Sequence, residues 1–237
     1  MKKVTSIILR ELQSFLLSPI AYIVFAAFLM ITGYLFWVIL VGSGLASLEP
    51  LLYYSAFILL LASPLITMRL ISEEKKNRTM ELLLTSPVSS WEIVIAKYIA
   101  CMILYLILVV LTFHYPYILS QYSTDFDPGP VYSGYIGLIL VMSAFTSVGI
   151  FASSLTENQI ISAIITFGTL FMFWLFGMAK FALDNVLGDI LGNLSIFDRF
   201  SVFLRGILDS GDVVFFVVFT FIWLFLAVKV LDSESWR

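Results

Sequence analysis

Tyr98-Ile99-Ala100-Cys101-Met102-Ile103-Leu104-Tyr105-Leu106-Ile107-Leu108-Val109-Val110-Leu111-Thr112-Phe113 is the stretch that decides the fold class. It opens an interval, 98–124, without Asp, Glu, Lys or Arg. A helix needs about 20 apolar residues to cross the hydrocarbon core of a bilayer, and this run supplies them. Working outward, the intervals 12–48, 50–68, 128–156, 158–179 and 213–228 are also free of formal charge. The last is short, but Lys229 can reach the headgroups with its ammonium while its stem stays in lipid. The reading is an all-α polytopic membrane protein, one domain over 1–237, with six spans near 20–41, 51–70, 92–119, 133–155, 159–180 and 213–231.

Composition agrees. Of 237 residues, 61% are hydrophobic and 12% charged, against about 45–50% and about 25% in soluble domains. One water-soluble core cannot hide that much apolar surface. The net charge of -3 comes with no basic stripe, which argues against nucleic acid as a partner. The single cysteine, Cys101, lies inside an apolar run and excludes a disulfide framework. Arg10 and Glu11 interrupt the first apolar residues, and no small-residue cleavage site follows, so no cleavable signal is expected.

Charge also orients the spans. With six crossings, one face carries Lys2, Lys3, Arg10, Arg69, Lys75, Lys76, Arg78, Lys97, Lys229 and Arg237, and the other only Lys180, Arg199 and Arg205. The excess places both termini in the cytoplasm.

Three segments lie outside the spans. In 4–17, Val4, Ile7, Ile8, Leu12 and Phe15 recur at helical spacing, with Lys2, Lys3, Ser6, Arg10 and Gln13 opposite. This reads as an interfacial amphipathic helix ended by Ser18-Pro19. Glu11 falls within its apolar face. Either the carboxylate reaches water at the stripe edge, or it pairs with a cation at the membrane surface, such as Arg69, Lys97 or a residue of a partner protein. In the polar loop 71–91, Glu73-Glu74-Lys75-Lys76 is expected to carry the second span into water, with Asn77 ending the helix. A short helical piece over 79–85 then stops before Pro87. Its leucines either fold back on the bundle or dock into another protein. Ser89 and Glu92 have capping-box spacing and open the third span. In the outer loop 181–211, Leu183, Val186, Leu187, Ile190, Leu191 and Leu194 form an apolar stripe, and Asp198 is expected to cap a second short helix over 200–208. Both helices read as re-entrant or surface elements at the outer mouth, because Asp184, Asp189, Asp198 and Arg199 would be expensive in hydrocarbon.

Catalytic chemistry is missing from the sequence. No Gly-x-x-x-x-Gly-Lys-Ser/Thr occurs. One cysteine and one histidine cannot make a zinc site, so no metal is expected. His114, near an outer span end, reads as a hydrogen-bonding residue, and no catalytic residue is assigned. Ser143, Ala144, Ser147, Gly149, Ala152 and Ser153 make a small-residue surface for close helix packing. Ionisable residues cluster at span ends rather than at mid-depth, unlike ion-coupled carriers, which favours transport powered from outside the chain.

The segment Arg69-Leu70-Ile71-Ser72-Glu73-Glu74-Lys75-Lys76-Asn77-Arg78-Thr79-Met80-Glu81-Leu82-Leu83-Leu84-Thr85-Ser86-Pro87, with Ala96-Lys97 beyond it, resembles the signature of ABC-2-type transporter permeases. That signature is a Glu-rich stretch, Thr-x-Glu-Leu-Leu, a proline, then a lysine at the next span. Asn77-Arg78 and Ala96 depart from it where glycine is common. Ser18–Tyr22, Ala152–Gln159 and Arg205–Ser210 are similar to the branch associated with gliding motility. The resemblance implies a type V exporter-like fold in a bacterial cytoplasmic membrane. It implies two ATP-binding-cassette subunits as partners, a second permease subunit, identical or paralogous, and an additional membrane component. It implies no cofactor on this chain, with ATP and Mg on the partner. It makes 4–17 the connecting helix, with Arg10 and Glu11. It places ATPase coupling on Glu73, Glu74, Thr79, Glu81, Leu82 and Leu83, with a second contact at Thr156, Glu157 and Asn158. The rival readings are a membrane scaffold or anchor without cargo, a membrane-embedded enzyme and an ion-coupled carrier.

Overall fold

The computed structural model describes residues 2–43, 47–79, 88–122, 126–182 and 186–235, and among them every regular element is helical. The elements are α1 (Lys2–Leu16), α2 (Pro19–Ser43), α3 (Glu49–Thr67), α4 (Ser72–Lys76), α5 (Ser90–Thr112), α6 (His114–Tyr122), α7 (Pro128–Leu155), α8 (Gln159–Ala182), α9 (Val186–Asn193), α10 (Ile196–Leu204) and α11 (Ser210–Ser235). Six stretches are long and apolar enough to cross a membrane: Pro19–Gly42, Glu49–Lys76, Ser90–Tyr122, Pro128–Leu155, Gln159–Met178 and Ser210–Ser233. The protein is therefore an all-α multi-pass membrane protein, as its charge-free intervals required.

Local chemistry sets the boundaries. The capping box at Ser89 is present: its amide donates to Glu92 Oε2 at 2.9 Å, and its Oγ accepts from the Glu92 amide at 3.3 Å. The fourth span begins earlier than hydropathy alone places it. Asp127 accepts from the Gly129 amide at 2.9 Å, and proline sits in the first turn of α7. The third span is interrupted at Phe113, between α5 and α6. Pro116 is the reason: it has no N–H for the Thr112 carbonyl four residues back and crowds it. The freed Thr112 carbonyl accepts from the Tyr135 hydroxyl of α7 at 3.0 Å.

α7 is the central helix. Its apolar window is 72% buried, against 22% in α2 and in α8, which are the spans left most open to lipid or a partner. Of the small residues expected to pack in α7, Ser143 is half-buried and the others are buried, with Ala144, Ser147, Ala152 and Ser153 at 0% exposure. At Gly137 a Cβ would fall 2.7 Å from Phe203 Cβ, so only glycine lets α10 settle there.

The outer-loop expectations need correction. α9 turns Gly188 and Gly192 inward, four residues apart, while Val186, Leu187, Ile190 and Leu194 face outward. The buried side of α9 is thus its glycine side rather than its apolar stripe. Leu183 lies outside the described residues. Ser195, not Asp198, caps α10, its Oγ accepting from the Asp198 amide at 3.2 Å; the helix starts at Ile196, before the expected 200. Its apolar residues Ile196, Phe197, Phe200, Phe203 and Leu204 are buried against the bundle. Arg199 locks this end: Nη1 lies 2.6 Å from Asp212 Oδ1 on α11, Nε donates to the Asn193 carbonyl at 2.7 Å, and the guanidinium sits 4.3 Å from the Phe215 ring centre.

Candidate functional site

The end of the bundle that holds α1 and α4 is also its basic end. Three helices meet there around Lys97. The side chain comes from the second turn of α5, where the capping box sets the helix start. Its residue is 0% exposed, too buried for a lone ammonium. Two carboxylates answer it: Glu11 Oε1 of α1 at 2.8 Å and Glu74 Oε2 of α4 at 2.9 Å. The first contact is an aligned hydrogen bond; the second is an ion pair by distance. Of the alternatives for Glu11, the structure therefore selects a cationic partner, and it is Lys97.

The rest of α1 follows from its pattern. Phe15 is buried and Val4, Ile7, Ile8 and Leu12 are half-buried, while Ser6, Arg10 and Gln13 are exposed. This face packs on α5, so the apolar stripe serves the bundle. The α1–α2 corner is held by Arg69, whose Nη1 donates to Ser18 Oγ at 2.6 Å and whose guanidinium lies 4.5 Å from the Phe15 ring centre.

The segment after the second span differs from its expected course. α3 ends at Thr67, the chain turns through Met68–Ile71, and α4 folds beneath the bundle rather than leading into water. Glu74 is only 8% exposed, because Lys97 draws it inward. Asn77 ends α4 with φ -86°, and the left-handed residue is Arg78 at φ 56°. The last helical residue is Lys76, so the position after the cap, where a left-handed residue belongs, falls one residue beyond Asn77.

Arg10, Glu11, Glu73, Glu74, Thr79 and Lys97 are among the residues that line a cleft of about 150 Å³. Thr79 Oγ1 donates to the Glu74 carbonyl at 3.2 Å. Glu81, Leu82 and Leu83 lie outside the described residues. Glu157 and Asn158 are exposed in the turn between α7 and α8; Asn158 Oδ1 accepts from the Ile160 amide at 2.9 Å, and Thr156 Oγ1 accepts from Asn158 at 3.1 Å. The structure thus gathers Arg10, Glu11, Glu73, Glu74 and Thr79 at one cleft, and gives Thr156 and Asn158 a turn-forming role beside α4.

Sequence reading missed one residue here, Ser153. Its hydroxyl accepts from the Ile71 and Ser72 amides, each at 2.9 Å, and donates to the Met68 carbonyl at 3.0 Å. In the sequence it is one of several small residues in α7, and nothing in the spacing distinguishes it from packing. Among the described residues no group of His, Cys, Asp and Glu is arranged to hold a metal ion.

A family model described as ABC-2 family transporter protein matches residues 43–229, which leaves α1 and nearly all of α2 outside the match. No curated protein matches the chain.

Proposed function

The chain belongs to the ABC-2 family of transporter proteins, and on that premise we propose that it couples ATP hydrolysis on separate cytoplasmic subunits to substrate movement across the membrane. It is a membrane subunit of an ABC transporter rather than the ATPase. In the proposed assembly two ATP-binding-cassette subunits, carrying ATP and Mg, sit against the basic end of two permeases. Both termini are cytoplasmic, and the membrane is the bacterial inner membrane. Segment 79–85, with Glu81, Leu82 and Leu83, docks in the ATPase; Glu157 and Asn158 make a second contact. The finer assignment is the gliding-motility branch, with a further membrane component, supported by the similarity at Ser18–Tyr22, 152–159 and 205–210.

The observation that carries the coupling role is the Glu11–Lys97–Glu74 cluster. It joins the connecting helix, the first helix of the coupling loop and the third span at one buried charge. A load applied to the loop is thereby shared with α1 and α5.

Two variants test the docking. Leu82→Asp places a carboxylate where an apolar groove is expected, and ATPase retention on pull-down is expected to fall at least about tenfold. Glu81→Lys is expected to keep the ATPase bound while hydrolysis loses its dependence on the permease, since only one charge contact is reversed. Full ATPase binding and coupling in both variants would return the chain to the scaffold reading.

Topology gives an independent check, motivated by the charge excess of the basic end. Cysteines introduced at Lys76 and at Asp189, both exposed, are expected to react differently in intact cells: Asp189→Cys with an impermeant reagent, Lys76→Cys only after permeabilisation. The reverse pattern would invert the protein and end the coupling reading.

A further inference from the structure

We propose that Ser153 is a pin that makes α4 and the central helix α7 move as one body. At the end of α3 the last carbonyls lack helical partners, and at the start of α4 the first amides do. The residue at the N-cap of α4 is Ile71, whose side chain cannot cap. One hydroxyl from another helix serves both ends: Ser153 Oγ accepts from the Ile71 and Ser72 amides and donates to the Met68 carbonyl, which also accepts from Ser72 Oγ. Ile71, Ser72 and Ser153 are all 0% exposed, so water cannot replace these bonds. Alanine would fill the same space but could accept neither amide, which separates the pin from mere small-residue packing. A second bond acts in parallel, from Lys75 Nζ to the Ser154 carbonyl, at the carbonyl-rich end of α7 where a cation is favoured. The opposite side of α4 holds Lys97 through Glu74.

α4 is five residues long and cannot keep its shape alone. Its position is dictated by what holds it, and the pin holds it to the helix with the most buried surface in the bundle. A displacement of α4 therefore reaches α7 two residues from its end, beside the 156–158 turn, and both cytoplasmic segments shift together. Ser153 is a positioning residue. What drives α4 rests on the coupling reading above; the pin is a property of this chain.

Hydrogen exchange on the complex co-purified with its ATPase, with and without ATP, separates the two. In the wild type, amides 71–75 and 150–155 are expected to change protection with the same ATP midpoint. In Ser153→Ala, 71–75 is expected to exchange at least about tenfold faster in both states, having lost its acceptor. There the ATP response of 150–155 is expected to weaken, carried only by the Lys75–Ser154 bond, while that of 80–87 keeps its full size. Different midpoints in the wild type would overturn the pin without any variant. So would unchanged protection of 71–75 in Ser153→Ala, or a full ATP response of 150–155 in it. Absence of any ATP response at 80–87 in the wild type would instead sink the coupling reading, while faster exchange at 71–75 in the variant would still support the pin.

Discussion

Lys97→Met is expected to destabilise the basic end by about 3–5 kcal/mol, the usual cost of removing one partner from a buried ion pair. Methionine keeps much of the stem volume, so the loss is chiefly electrostatic. Two carboxylates, Glu11 at 13% and Glu74 at 10% side-chain exposure, would be left facing one another without the ammonium between them. Their like charges then repel with nothing between them, and α1 keeps its apolar stripe against α5 but loses the cluster. Limited proteolysis is expected to cut α1 first, and denaturation in mixed micelles to begin at lower denaturant. The triple variant Lys97→Met, Glu11→Gln, Glu74→Gln is expected to recover most of the loss, because the unpaired charges go with the lysine. Glu11→Gln alone is expected to cost less than Lys97→Met, since Lys97 keeps Glu74. Native resistance to both protease and denaturant in Lys97→Met would mean that the cluster is solvated.

This cluster was half legible in the sequence. A carboxylate at Glu11 inside an apolar helical stripe is an anomaly that asks for a partner, and Lys97, at the start of a span, was one of two cations in reach along the chain. Glu74 was not legible in the same way. Its run, Glu73-Glu74-Lys75-Lys76, reads as solvated because four consecutive charges usually are. A tertiary partner contributed by a distant helix overrides that, and no local pattern announces it. The same limit applies to Ser153, whose three bonds depend on where α3 ends rather than on its neighbours in α7.

Elsewhere the division follows the range of the interaction. Hydropathy sees each residue by itself, and it located all six spans. The capping box at Ser89 and Glu92 is a four-residue device and was read correctly. The break at Phe113 was available too, since Pro116 must orphan the Thr112 carbonyl, but a long apolar run masks one proline. In α9 the stripe of large apolar residues showed an amphipathic helix but not which side meets the bundle. Its two glycines are on the buried side, and what a glycine face packs against depends on the shape of the neighbour.

The same shape dependence makes Gly149 the second most sensitive position. It lies in α7 at the crossing with α3, where a Cβ would stand 2.1 Å from Thr67 Oγ1 and 2.4 Å from Thr67 Cβ. Thr67 cannot swing aside to make room, because the Cβ contact is to the root of its side chain, and its hydroxyl donates to the Ser63 carbonyl at 2.9 Å. Gly149→Ala must therefore part the two helices, at about 1–3 kcal/mol by ordinary overpacking and toward the upper end here. The residue just past the end of α3 is Met68, whose carbonyl accepts from Ser153, so separation also strains that bond. Gly168 of α8 is the control: nothing lies within 4 Å of its Cβ position, so Gly168→Ala is expected to be neutral or stabilising by about 0.5–1 kcal/mol from helix propensity. Thr67→Ala added to Gly149→Ala leaves the Cβ in place and is expected to rescue little, whereas Thr67→Gly removes it and exchanges the knob for the hole. Denaturation of the four variants in mixed micelles decides the matter. Equal stability of Gly149→Ala and Gly168→Ala would mean that α3 and α7 do not meet at this separation in the membrane.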